Sequence, residues 1–193
     1  MDMRLLRHPP RRASSVLLGV LLLAATTVHA QAEPADTPEA VAKQLIAALG
    51  AGDFAANAAL MHPSALATFR RFVVGLSASD TSGATLEQVF GVTSSAALDT
   101  LSDTQLYARF FGKMVAAQPE MGAAIRSATY AIVGHVDEAP DLAHVVYRMT
   151  MTVDGIPVRK VDVLTLRRYG STWRALLTTD LENLISRVSA QGR

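Results

Sequence analysis

Apolar residues along the chain follow two rhythms, and the change between them falls near Ser127. Before it they recur every three or four positions, the spacing of a helix with one buried face; after it they alternate, as in a half-buried strand. Val41, Leu45, Ala48 and Leu49 share one face of a first helix. Asp36 is its expected cap, with Pro38 in the first turn and Glu39 completing a capping box. Gly50 and Gly52 end that helix, and Asp53 caps a second one through Phe54, Ala58 and Met61. His62-Pro63 stops it, with the imidazole of His62 expected at its C-terminus. A third helix begins at Ser64 and carries Leu66, Phe69, Val73 and Leu76. Ser77 to Thr85 reads as a polar loop, and Leu86 to Val92 is ambiguous. Ser102 and Gln105 form another capping box, opening a helix with Leu106, Phe110, Met114 and Ala117 in line and Tyr107, Phe111 and Val115 beside them. It ends near Pro119, and its wide apolar face predicts packing against a sheet.

Four strands are expected after Ser127, separated by Asp137 to Asp141, Asp154-Gly155 and Gly170-Ser171. The Asp154-Gly155 pair is the strongest hairpin signal, because both central positions of its turn take positive φ. A turn centred between Ala139 and Pro140 places His135 opposite His144, Val133 opposite Val146, Ile132 opposite Tyr147 and Tyr130 opposite Met149. Two-residue turns at the other junctions pair Met149 with Lys160, Tyr147 with Asp162 and Val145 with Leu164, then Leu166 with Ala175, Leu164 with Leu177 and Asp162 with Thr179. One face collects Tyr130, Ile132, Val145, Tyr147, Met149, Met151, Val158, Leu164, Leu166, Ala175 and Leu177, and is expected to meet the helices. The other carries Val133, Val146, Val161, Val163 and Leu176, apolar enough to predict a homodimer through the outer sheet face.

The N-terminus changes the reading of charge. Arg4, Arg7, Arg11 and Arg12 precede an uncharged run whose most apolar part, Val16 to Val28, is too short to span a bilayer, and Val28-His29-Ala30 forms a cleavage pattern. Residues 1–30 are read as a secretory signal peptide, 31–37 as a disordered lead-in and 38–193 as a single domain. The expected location is periplasmic or secreted, with no membrane span after cleavage; the general and twin-arginine export routes both stay open. Removing residues 1–30 takes four Arg and one Asp from 18 basic and 17 acidic side chains, leaving 14 and 16 and no basic footprint for nucleic acid.

Zero cysteines exclude disulfides, thiolate metal sites and a Cys nucleophile. G-x-S-x-G, P-loop, dinucleotide-binding and H-E-x-x-H patterns are missing, and no cofactor is expected. His135 and His144, with Asp137 and Asp141 near, lack a third ligand at helical spacing, so no metal is expected either.

The stretch "GDFAANAALMHP", Gly52 to Pro63, and the final hairpin "RRYGSTWRALL", Arg167 to Leu177, resemble the nuclear transport factor 2-like superfamily, the cone-shaped fold of polyketide-cyclase-like and ketosteroid-isomerase-like proteins. The combined expectation is an α+β fold: N-terminal helices packed on a curved four-stranded antiparallel sheet over about residues 127–180, then a C-terminal helix, Asp180 to Gln191, capped by Asp180. Residues 64–118 depart from the superfamily by looking helical where a small strand pair is usual.

In that superfamily the cone often holds a small apolar ligand, and Tyr107, Tyr130, Tyr147, Met149 and Asp162 are the residues expected to line it here. Asp162 among aromatic and methionine side chains would have a raised pKa and is the candidate general base, with a phenol polarising a carbonyl. The preferred reading is structural, a Tyr hydroxyl satisfying a buried carboxylate or an Asp162-Lys160 pair near the sheet rim. The first functional reading is an exported, non-catalytic domain that binds a small apolar ligand or a partner protein. An isomerase- or cyclase-type enzyme using Asp162, and a homodimeric interaction module with a filled core, stand as alternatives.

Overall fold

The computed structural model describes residues 36–79, 83–153 and 155–191. The expected signal peptide, 1–30, and residues 31–35 of the lead-in lie outside the described residues. Helix α1 (Pro38–Ala51) is capped by Thr37, whose hydroxyl accepts from the Ala40 N–H at 3.1 Å. Asp36, the expected cap, is one residue too early and serves the sheet instead. Its Oδ1 accepts from the Trp173 N–H at 3.2 Å and its Oδ2 lies 3.7 Å from Arg168. Asp53 caps α2 (Phe54–Ala59) by accepting from the Ala56 N–H at 2.9 Å.

His62 works on the other helix from the one expected. Its Nδ1 accepts from the Ser64 N–H at 3.1 Å, so the imidazole opens α3 (Pro63–Ser79) rather than closing α2. Burial and then repulsion by Arg167 lower its pKa below the usual 6.5, which favours the neutral ring this role needs.

Helix α3 runs into the expected polar loop, whose residues 80–82 lie outside the described residues. Then come α4 (Ala84–Phe90), α5 (Ser95–Asp99), α6 (Asp103–Ala117) and α7 (Pro119–Ser127). The capping box of α6 forms as expected: Ser102 Oγ accepts from the Gln105 N–H at 3.2 Å, and Gln105 Oε1 from the Ser102 N–H at 2.9 Å. Its packing does not match expectation. The wide apolar face of α6 is taken up by other helices, α2, α3, α4 and α7, with Tyr107 and Phe110 against Phe69 of α3 at ring separations of 5.2 and 5.1 Å. Helices α1 and α7 contact the sheet instead.

The sheet is antiparallel with strand order β1-β2-β3-β4: β1 (Thr129–Ala139), β2 (Leu142–Val153), β3 (Ile156–Tyr169) and β4 (Thr172–Ala175). Helix α8 (Thr179–Gln191) follows, its first turn held by Thr178 Oγ1 accepting from the Leu181 N–H at 3.4 Å rather than by Asp180. The fold is α+β, helices on a curved, open four-stranded antiparallel sheet with a C-terminal helix.

Register follows the turns. Val153 pairs with Ile156, leaving two residues for the turn; Gly155 has φ 76°, as that turn demands, and Asp154 lies outside the described residues. Tyr147 pairs with Asp162 and Val145 with Leu164. Leu166 pairs with Ala175, but β4 stops there, so the expected Leu164-Leu177 and Asp162-Thr179 pairs do not form. Alternation lapses with the strand, and Leu176, expected outside, turns inward.

In the first hairpin Tyr130-Met149 and Ile132-Tyr147 pair as expected, but two irregularities, between Ile132 and Gly134 and between Asp137 and Ala139, shift the rest. Each puts an extra residue on β1, and Val133 therefore loses its place opposite Val146. His135 meets Val145 and His144 meets Val136, so the two imidazoles are not paired.

The helical hairpin is stitched to the short strand. The Ala175 N–H donates to Leu60 O at 2.9 Å, the His62 N–H donates to Ala175 O at 2.7 Å, and the Arg174 guanidinium donates to the Ala59 carbonyl. Beneath lies a continuous core in which Phe69, Val73, Leu106, Val145 and Leu166 are fully enclosed. Val158, expected inside, is 39% exposed near the β2–β3 hairpin. On the outer face Val133, Val161 and Val163 are exposed. Among the described residues no helix is long and apolar enough to cross a membrane.

Candidate functional site

The short β4 decides where the inner sheet face is filled. It pairs only with the Leu166–Tyr169 end of β3. Past that end, Tyr147, Met149 and Met151 of β2 share an open cavity of about 440 Å³ with Leu45 and Ile46 of α1, Phe110, Phe111 and Met114 of α6, and Leu181 of α8. This size lies within the range of small-molecule pockets, and the walls are almost wholly aromatic, aliphatic and thioether.

Four of the five expected lining residues, Tyr107, Tyr130, Tyr147 and Met149, border this cavity, and Asp162 does not. Tyr130 and Tyr147 are half-buried, with ring centroids 6.2 Å apart. Burial, helped by the Asp162 charge, pushes the Tyr147 phenol up to about 12, and burial raises that of Tyr130. Tyr107 is only 7% exposed, and burial raises its phenol further. All three are neutral at physiological pH and can donate a hydrogen bond.

The raised pKa that a general base at Asp162 would need does not arise, and the rim pair with Lys160 forms instead. Partial burial does work to raise it, but the Lys160 ammonium 2.7 Å away and the Val163 N–H, donating at 2.9 Å, outweigh burial and hold the carboxyl below its usual 3.8. Lys160 stands two positions before Asp162 and so on the same side of β3, which supplies the counter-charge that the apolar surroundings lack. The result is the ion pair at the rim, and a carboxylate so stabilised is a poor proton acceptor at neutral pH. Asp180 of α8 lies 3.6 Å from the same ammonium and borders the cavity.

Sequence reasoning missed Asn57, 5% exposed and lining the cavity from α2. Its Nδ2 donates to Leu45 O at 3.0 Å, tying α2 to α1. The available signal was a lone amide within "FAANAA", where a helix otherwise made of small apolar residues carries one buried polar group. Phe110, Phe111 and Met114 lie on the helix expected to border a pocket with Tyr130 and Tyr147, but were not themselves singled out as lining residues.

The two histidines serve structure. His135 Nδ1 bonds Glu39 of α1, and that bond is the main reason its pKa is raised. His144 sits between Glu138, 2.5 Å from Nε2, and Thr165 Oγ1, 3.1 Å from Nδ1. Among the described residues there is no group of three or more His, Asp or Glu that could hold a metal.

Comparison with known protein families found no match, and comparison with curated proteins found none.

Proposed function

We propose that this is an exported, non-catalytic domain of the nuclear transport factor 2-like type, which binds a small apolar molecule between α6 and the sheet. The carrying observation is the cavity itself, about 440 Å³ bordered by three tyrosines, two phenylalanines and four methionines in a domain otherwise packed around fully enclosed side chains. That open volume speaks against a core filled by side chains. The low pKa of Asp162 speaks against the isomerase or cyclase alternative, which needs a carboxylate poised near neutral pH. Export rests on the Arg-flanked apolar run of residues 1–30. A homodimer through the outer sheet face is supported by Val133 at 58%, Val136 at 61% and Val161 at 58% exposure.

The test is titration of the purified domain with a neutral solvatochromic dye such as Nile red, together with mass spectrometry of molecules carried through purification. One dye per chain in an apolar environment, and an unchanged dye affinity in Asp162→Asn, are expected. Failure to take up any neutral apolar probe would overturn the binding reading. Gel filtration tests the dimer separately, and monomeric elution at high concentration would remove it.

A further inference from the structure

Among the described residues, two polar atoms of cavity-lining side chains have no hydrogen-bond partner. Tyr107 is 93% buried by its 7% exposure, yet its hydroxyl makes no hydrogen bond within the described residues. Asn57 donates through Nδ2 to Leu45 O, but its Oδ1 accepts nothing there. Neither atom is sealed off, since among the described residues every fully enclosed side-chain nitrogen or oxygen has a partner. Both residues line the cavity. Left accessible and unpaired, both are available to a molecule that enters the cavity.

The charges at the rim select the kind of molecule that can do so. Among the described lining residues Asp180 is the only charged one, and none is Lys, Arg or His. The one ammonium nearby, Lys160, is already matched by Asp162 at 2.7 Å and Asp180 at 3.6 Å, leaving the trio at −1. A ligand carboxylate or phosphate would find no cation among the described lining residues, and burying it unpaired is strongly unfavourable. A pure hydrocarbon would leave Tyr107 and Asn57 unmet. The phenol offers a proton, while the amide oxygen can only accept one. A hydroxyl is the smallest neutral group that serves both kinds of partner.

On the reading that this cavity binds a ligand, we propose that its ligand class is an apolar alcohol, a neutral hydrophobic body whose hydroxyl is received by Tyr107 and Asn57. The three half-open features at the other end, Tyr130, Tyr147 and the Lys160 ion pair, then form the entrance, and the hydroxyl enters first.

Competition against bound Nile red tests this with decanol, decane and decanoate on the wild-type domain and on Tyr107→Phe. Decanol is expected to bind about tenfold more weakly to Tyr107→Phe than to wild type, because the variant leaves one ligand group unpaired, while decane binds the two alike. Decanoate at neutral pH is expected to bind wild type at least about tenfold more weakly than decanol. Without ligand, Tyr107→Phe is expected to melt no lower than wild type, since it removes an unpaired hydroxyl and keeps the ring. If decanol and decane both bind but Tyr107→Phe leaves decanol unchanged, or decanoate competes as well as decanol, the alcohol assignment is overturned and the cavity reading stands. If none of the three displaces the dye, and the dye itself does not bind, the cavity reading falls and takes the assignment with it. The decanol and decanoate comparison needs no variant, so it decides even if Tyr107→Phe fails to fold.

Discussion

The two halves of the inner sheet face have the same alternation and opposite fates. At the β4 end, Val145, Leu166 and Ala175 are fully enclosed, with the α2–α3 junction hydrogen-bonded to Ala175. Toward the β2–β3 hairpin, Tyr147, Met149 and Met151 point to the same side and remain half-buried around open space. Alternation sets the direction of a side chain, and what stands opposite decides whether it becomes core or wall. Here the difference follows from a four-residue strand: β4 brings the helical hairpin onto one half, and the chain then leaves the sheet for α8.

Truncating one side chain in each half gives the largest contrast. Leu166→Ala is expected to cost about 3 kcal/mol in urea unfolding, because it opens a void in a closed core. Met149→Ala, which enlarges space already open, should cost about 1 kcal/mol or less. Equal costs would mean that the hairpin half is as tightly packed as the other, and the contrast would be lost.

Asp162 marks the border between the halves and gives a smaller effect with a defined pH sign. Its native pKa lies below 3.8, so its contribution is present above that value and is lost as pH falls through the lower native one. Asp162→Asn is therefore expected to be less stable than wild type at neutral pH, with the gap closing in acid. Its side chain is 37% exposed, so screening keeps the gap under about 1 kcal/mol. A wild-type advantage that instead grows as pH falls toward 3.8 would show that the carboxyl is raised, as its apolar neighbours alone suggest.

The packed half was the more legible in sequence. Asp154-Gly155 and Gly170-Ser171 fix the pairing of Val145 with Leu164 and of Leu166 with Ala175, because two-residue turns leave little freedom. Tyr130, Tyr147 and Met149 followed from the same alternation. The open half depends on facts that periodicity does not carry. Nothing in Thr172 to Leu177 announces that β4 ends at Ala175. The shift near Val133 left only one trace, Gly134 inside a strand pattern, which has φ 156°. For Asp162 the sequence offered both apolar neighbours and Lys160 two positions away, and the ion pair with Lys160 is the one that forms. Tyr107 was placed on the right helix and on the cavity, while the helices that take up the rest of the α6 face left no mark in its periodicity.

The most direct test of the central claim, that the hairpin half encloses a working binding cavity, is to fill it. Met114 lines the cavity from α6 and is half-buried, so Met114→Trp puts a large ring into the open space without touching the enclosed core. Titrated with Nile red, this variant is expected to lose at least about tenfold in affinity while keeping the wild-type melting temperature within a few degrees. Undiminished dye binding in a folded Met114→Trp protein would place the dye elsewhere and contradict the account.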